Sequence, residues 1–365
     1  MELWECPLEG VVLSSFWTGK NVLVTGHTGF KGAWLSLMLA RQGANLRGLS
    51  LVPERDGLFA AADLTDVIPG GICDLRDRSA MAQILGDFRP DIVFHLAAQP
   101  LVRQSYVDPC ETWDTNVTGT LNLLEQLRGV GGPMTVVVIT TDKVYAPSKT
   151  PVSFRETDAL GGHDPYSASK AAVEILVESH RKSFLEPLGI KVVTARAGNV
   201  IGGGDWAQNR IIPDILRAMS AGDPLHLRYP DAVRPWQHVL DPLAGYMLLA
   251  ERLASAPENT LPPALNFGPN PETDKSVAEL VETARLAYGD ADLTVTTDQA
   301  NNGTWPETDR LSLSIELARQ ALGWSPRWGF EDSVAHTMQW YHRVQMGESP
   351  RTVTLDQIAA FEAAV

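Results

Sequence analysis

In the first half of the chain the apolar positions fall into short continuous runs separated by stretches with helical spacing. Asn21 to Thr25 (NVLVT), Leu46 to Leu51, Asp91 to Ala97 (DIVFHLA), Met134 to Thr140 (MTVVVIT) and Lys191 to Ala195 (KVVTA) are rich in β-branched residues and do not alternate with polar ones. A strand that is apolar throughout is covered on both faces, which predicts a parallel sheet between two layers of helices. Helical patterns lie between the runs, at Trp34 to Arg41, Thr112 to Arg128 and Ser169 to His180. Right-handed crossovers make this an α/β, doubly wound Rossmann-type domain.

The pattern changes after Gly198. Gly202, Gly203 and Gly204 make a loop, and Pro213, Pro224, Pro230, Pro235 and Pro242 punctuate the segment beyond it. Helical spacing returns at Val277 to Tyr288, Ile315 to Leu322 and Glu331 to Arg343, which predicts a smaller, mostly helical substrate lobe. The expected organisation is a tail at 1–15 and a cofactor domain at 16–200, to which 236–266 returns. The lobe takes 201–235 and 267–345, and 346–365 is a C-terminal tail.

Composition narrows the function classes. The chain has 365 residues, 44% apolar and 20% charged, as expected of a globular protein. A net charge of −14 argues against general nucleic-acid binding. It leaves room for a small anionic ligand, which a local cluster of donors holds. No apolar run is long enough to span a bilayer, and the first residues are acidic (Glu2, Glu5, Glu9), unlike a signal peptide. Three widely spaced cysteines, Cys6, Cys73 and Cys110, suggest neither a disulfide framework nor a metal site. The expected location is a reducing cytoplasm.

Two motifs carry chemistry. TGHTGFKG (Thr25 to Gly32) follows the first strand and enters a helix. Gly26 permits a tight turn, Gly29 lets the backbone approach a pyrophosphate, and Gly32 lets the helix pack close to the sheet. The helix N-terminus then offers free N–H groups to phosphates. DPYSASK (Asp164 to Lys170) spaces Tyr166 and Lys170 four apart at a helix start, so both lie on one face. A cation there favours the phenolate, which predicts a tyrosine base. Between the motifs, the strand 134–140 ends in Thr141-Asp142-Lys143, at the edge where parallel sheets bind ligands. The plainer readings are a glycine-rich connection, an amphipathic helix and an exposed acid–base pair. The strand–turn–helix context weighs against them. NAD and NADP are not separated by these residues. The second strand ends at Ser50 and Leu51 without the acid that usually holds ribose hydroxyls, and Arg55 is near enough to meet a 2′-phosphate.

The TGxxGFxG motif, the Thr–Tyr–Lys set and the blocks RAGNVIGGGDWA (Arg196 to Ala207), RIIPDILRA, RPWQHVLDPLAGY (Arg234 to Tyr246), NFGPN and LGWSPRW resemble the extended short-chain dehydrogenase/reductase family. Within it the sequence resembles the CDP-glucose 4,6-dehydratases from Phe16 onward. The resemblance implies NAD as cofactor, held by Gly26, Thr28, Gly29, Phe30, Gly32, Asp74, Leu75, Ala97 and Ala98, with Tyr166 and Lys170 also touching it. It implies a catalytic set of Thr141, Asp142, Lys143, Tyr166 and Lys170. Related dehydratases usually carry Asp-Glu where this chain has Asp142-Lys143, and the CDP-glucose enzymes carry Asp-Lys. Asn199, Arg210 and Arg234 are implied at the substrate's diphosphate. Residues 305–314 match the family poorly. A sugar-nucleotide epimerase and a non-catalytic dinucleotide sensor are the rival readings. A homodimer is also implied. The helical stretches 112–128 and 169–180 carry Val117, Leu121, Leu124, Val173, Ile175, Leu176 and Val177, more apolar surface than one covered face needs.

Overall fold

The structure is a computed structural model that describes residues 15–148, 150, 152–257, 260–270, 275–289, 293–297 and 311–364. The expected N-terminal tail (apart from residue 15), Cys6 and most of the segment 305–314 lie outside the described residues.

Seven strands form one parallel sheet: β1 (Asn21–Thr25), β2 (Asn45–Ser50), β3 (Gly70–Ile72), β4 (Ile92–His95), β5 (Met134–Ile139), β6 (Ile190–Ala197) and β7 (Ala264–Phe267). Their order is β7-β6-β5-β4-β1-β2-β3. The order reverses between β1 and β4, where a doubly wound sheet opens a crevice at its C-terminal edge. Every residue of β4 and β5 is buried, which is why their sequences do not alternate. The strands β3 and β7 are absent from the hydrophobic pattern. Two of the three β3 residues are glycine, and β7 (ALNF) is short and carries a buried asparagine.

Eight longer helices cover the sheet and build the lobe: α1 (Phe30–Arg41), α2 (Gly119–Val130), α3 (Pro165–His180), α4 (Ile211–Ala221), α5 (Leu240–Ser255), α6 (Val277–Tyr288), α7 (Phe330–Gln345) and α8 (Pro350–Ala363). One hydrophobic core joins sheet and lobe, running from Trp34 on α1 to Trp340 on α7. Trp34 Nε1 donates to the Gly203 carbonyl at 2.9 Å and ties the glycine loop to α1. Ala264 to Phe267 pair with Thr194 to Ala197, so the chain returns to the sheet after its excursion into the lobe.

One segment differs from the sequence expectation, and a second refines it. Residues 346–365, read as a tail, contain α8, which buries Val353, Ile358 and Phe361 against the core. Apolar residues there are sparse enough to hide the pattern. The stretch 112–128 is helical throughout, as expected, but it carries a π bulge. Pro109–Trp113 leads into a π turn at Asp114–Thr118 before α2 begins. Such a bulge re-aims side chains at functional sites, and here it turns Asn116 inward to near-complete burial.

Candidate active site

The phosphate turn is built as its glycines require. Gly26 has φ +74°, and a Cβ there would lie 2.7 Å from the Ala97 backbone nitrogen. A Cβ on Gly32 would lie 2.1 Å from the Gly26 carbonyl oxygen. Turn, β4 edge and α1 therefore pack at backbone contact. Gly29 is the N-cap of α1 and supplies no side-chain cap, so the first N–H groups open onto the cleft. This cradle fits a dinucleotide diphosphate. Thr28 closes its rim, with Oγ1 2.6 Å from Ser50 Oγ and donating to the Leu51 carbonyl at 3.0 Å. Asp74 is locked by Arg76, whose Nη2 lies 2.6 Å from Oδ2. That bond holds the carboxyl below its usual range. Leu75, Ala97 and Ala98 line the same wall, whereas exposed Arg55 does not.

The helix carrying Tyr166 and Lys170 starts earlier than its pattern suggests. Asp164 caps it, accepting from Ser167 N at 2.9 Å, and Pro165 occupies the first turn. Tyr166 and Lys170 therefore sit on one face of the first turns of α3. Ser169 Oγ donates to the Tyr166 carbonyl at 2.7 Å and receives Asn116 Nδ2 at 2.9 Å. Asn116 Oδ1 in turn receives Gln99 N at 2.8 Å. The π turn thus clamps the β4 edge to the start of α3. Neither residue is legible in the sequence: Asn116 sits in a π bulge that helical spacing does not mark, and Gln99 lies in the loop after β4.

Lys170 Nζ donates to the Ile139 carbonyl at 3.2 Å, and burial lowers it to about 8. Tyr166 hydrogen-bonds Thr141, but burial outweighs that bond and pushes the phenol up to about 12. The expectation of a phenol lowered by its lysine is corrected for the protein without ligands: desolvation is the larger effect. Thr141 Oγ1 donates to Asp142 Oδ1 at 2.9 Å. Asp142 Oδ2 is buried and has no hydrogen-bond partner among the described residues. Burial raises the Asp142 carboxyl, as an acid that must hold its proton needs. Gly198 leaves it space, since a Cβ there would lie 3.3 Å from Oδ2 and 2.6 Å from Pro235 Cγ. Lys143 follows in a short 3-10 turn, Asp142–Val144, and is partly exposed to the cleft.

Across from these groups, Arg210 Nη1 pairs with Asp205 Oδ2 at 2.9 Å, and buried Arg234 Nη1 donates to the Val233 carbonyl at 2.8 Å. Asn199 accepts Gln237 N on its carbonyl at 3.1 Å. Apart from Arg55, the catalytic, cofactor-binding and substrate-binding residues singled out from the sequence line one continuous cleft of ≈ 1590 Å³. That volume exceeds the usual range for one small ligand and leaves room for two side by side. Lys31, which is not singled out from the sequence, also lines it.

The profile of the NAD dependent epimerase/dehydratase family matches residues 22–268. The chain belongs to this family. It is 41% identical over 356 residues to the CDP-glucose 4,6-dehydratase of Salmonella typhimurium, covering 96% of this chain and 98% of that protein. Among solved structures it resembles the UDP-glucose 4-epimerase of Thermus thermophilus in complex with NAD, at 27% identity and a TM-score of 0.73. That match covers 88% of this chain and 98% of the other. The dTDP-glucose 4,6-dehydratase of Bacillus anthracis shares the fold at 23% identity and a TM-score of 0.73, with coverage of 91% and 100%.

Proposed function

We propose that this chain converts CDP-glucose to CDP-4-keto-6-deoxyglucose. Asp142 carries the reading: a buried carboxyl with one oxygen unpartnered among the described residues, joined to the Thr141 hydroxyl at 2.9 Å and followed by Lys143. An epimerase needs the Thr–Tyr–Lys set but no acid aimed at a leaving hydroxyl, and a sensor needs neither. Full-length relatedness to a CDP-glucose 4,6-dehydratase points the same way.

The cofactor is NAD, seated on the turn from Gly26 to Gly32 with Asp74, Leu75, Ala97 and Ala98 along its course. NAD supplies a hydride acceptor for C4 and a hydride donor for C6. Tyr166 takes the proton of the 4-hydroxyl, which Thr141 orients. The Lys170 cation favours the phenolate against the cost of burial. The 4-ketone acidifies the hydrogen at C5. Lys143, in its neutral form, removes that proton, and Asp142 gives its own to the departing 6-hydroxyl. Water leaves, a proton returns to C5, and the net reaction is redox-neutral. Asn199, Arg210 and Arg234 meet the substrate's diphosphate, for which planar guanidinium donors are suited.

The protein works as a homodimer in the cytoplasm in this reading. Of the residues read as interface, Leu124, Val173 and Val177 are buried in the chain's own core. Ile175 remains 62% exposed, with Trp113 before α2 and Phe184 after α3 40% and 43% exposed, an apolar surface that a second copy covers. A monomer at micromolar concentration by light scattering would refute the dimer. For the activity, a panel of CDP-, dTDP-, UDP- and GDP-sugars is assayed for a 4-keto product. CDP-glucose should be turned over best, and a better dTDP or UDP substrate would move the base assignment.

A further inference from the structure

Lys31 is the second residue of α1, directly after the glycine turn. It lines the cleft, and its ammonium lies 6.0 Å from the centre of the buried Tyr246 ring. Among the described residues it makes no hydrogen bond or ion pair. The charged groups facing it come from three other places: Asp142 after β5, Lys170 on α3, and Asp205 and Arg210 before α4. Tyr246 on α5 completes its surroundings. Asp205 is already paired with Arg210 at 2.9 Å, and the Asp142 carboxyl, which accepts from Thr141 on one oxygen, is raised by burial. Two of the facing groups are themselves cations. Lys31 is therefore a desolvated amine in a cluster short of negative charge, on the helix whose first N–H groups form the anion cradle.

We propose that Lys31 is a cofactor-binding residue whose ammonium contacts the diphosphate of NAD, adding a side-chain charge to the backbone cradle of the glycine turn. This rests on the NAD assignment above and not on the identity of the sugar nucleotide. Burial, with Arg210 second, lowers the free amine to about 7. An arriving diphosphate favours the charged form. Cofactor binding near pH 8 should then draw a proton from solvent, and binding near pH 6, where the amine is already charged, should draw little.

The test is calorimetric titration of the full chain with NAD, and separately with ADP-ribose, in two buffers of different ionisation enthalpy. No sugar nucleotide is present, so the outcome is independent of the dehydratase reading. Lys31→Met should bind both ligands roughly tenfold or more weakly, the scale of a lost charged hydrogen bond, and should lose the proton uptake at pH 8. Lys31→Arg should recover affinity without proton uptake, because a guanidinium stays charged. An unchanged melting temperature for both variants shows that the fold is intact. Wild-type affinity for NAD and ADP-ribose in Lys31→Met would overturn the proposal. So would a loss confined to NAD, which would place the amine at the nicotinamide instead.

Discussion

Arg196 and Glu174 form an ion pair at 2.7 Å, with side chains only 5% and 3% exposed. Glu174 lies one helical turn beyond Lys170 and also accepts from Thr140 Oγ1 and Thr194 Oγ1, at 2.5 and 2.7 Å. Arg196 Nη1 donates to the Tyr145 hydroxyl at 3.0 Å, which donates to Asn266 Oδ1 at 2.6 Å. One polar network therefore joins α3 to the ends of β5, β6 and β7, directly behind Thr141, Asp142 and Lys143.

Removing one member strands a buried charge. Glu174→Ala should cost about 3–5 kcal/mol of stability, read as a fall in the denaturant midpoint. The surviving folded enzyme should also lose turnover, because Thr140 no longer fixes the strand end. Wild-type stability would mean that the network contributes little.

Tyr166→Phe should lower kcat on the order of 10²-fold or more, the scale of a positioned base. NAD affinity should change little, since the ring still packs. Near-normal turnover would remove Tyr166 from the mechanism.

Lys143→Ala should oxidise C4 and stall before elimination. Reduced-cofactor absorbance should then build up on adding CDP-glucose, and exchange of the C5 hydrogen with deuterated solvent should fall. Full dehydration with normal exchange would make Lys143 only a charged neighbour of Asp142.

Asp241 provides a test of the fold apart from catalysis. Its carboxyl accepts from the backbone of Arg327, at 2.6 Å on Oδ1, and of Trp328, while Oδ2 is buried with no geometric hydrogen bond among the described residues. Burial raises the carboxyl from 3.8 to about 7. Between those values the folded chain holds a proton that the unfolded chain has released, so stability falls as pH rises through that window. Asp241→Asn keeps an acceptor for Arg327 and removes the ionisation. It should match wild type near pH 4 and melt at a higher temperature at pH 8. A lower melting temperature at pH 8 would contradict the assignment.

The legible parts of this protein were those whose physics is local in sequence. β1, the glycine turn and α1 are contiguous, and Tyr166 and Lys170 share one helical face. The Asp142–Lys143 pair stands out because it directly follows an unbroken apolar strand. What stayed hidden depends on contacts between distant segments. Glu174 and Arg196 each look ordinary alone, and nothing local says they meet. Asn116 acts through a π turn that helical spacing does not reveal. Lys31 was masked by the glycines on whose spacing its motif was read. β7 overlaps the NFGPN block but carries no strand signal of its own, since its burial comes from pairing with β6.

The most direct test of the central claim follows one hydrogen. CDP-glucose carrying deuterium at C4 is incubated with the enzyme and NAD in ordinary water, and the product is examined by NMR and mass spectrometry. The dehydratase mechanism predicts loss of one water, a ketone at C4, and the deuterium on the C6 methyl group. A 4-epimer that retains its water, or a dehydrated product with no deuterium at C6, would contradict it.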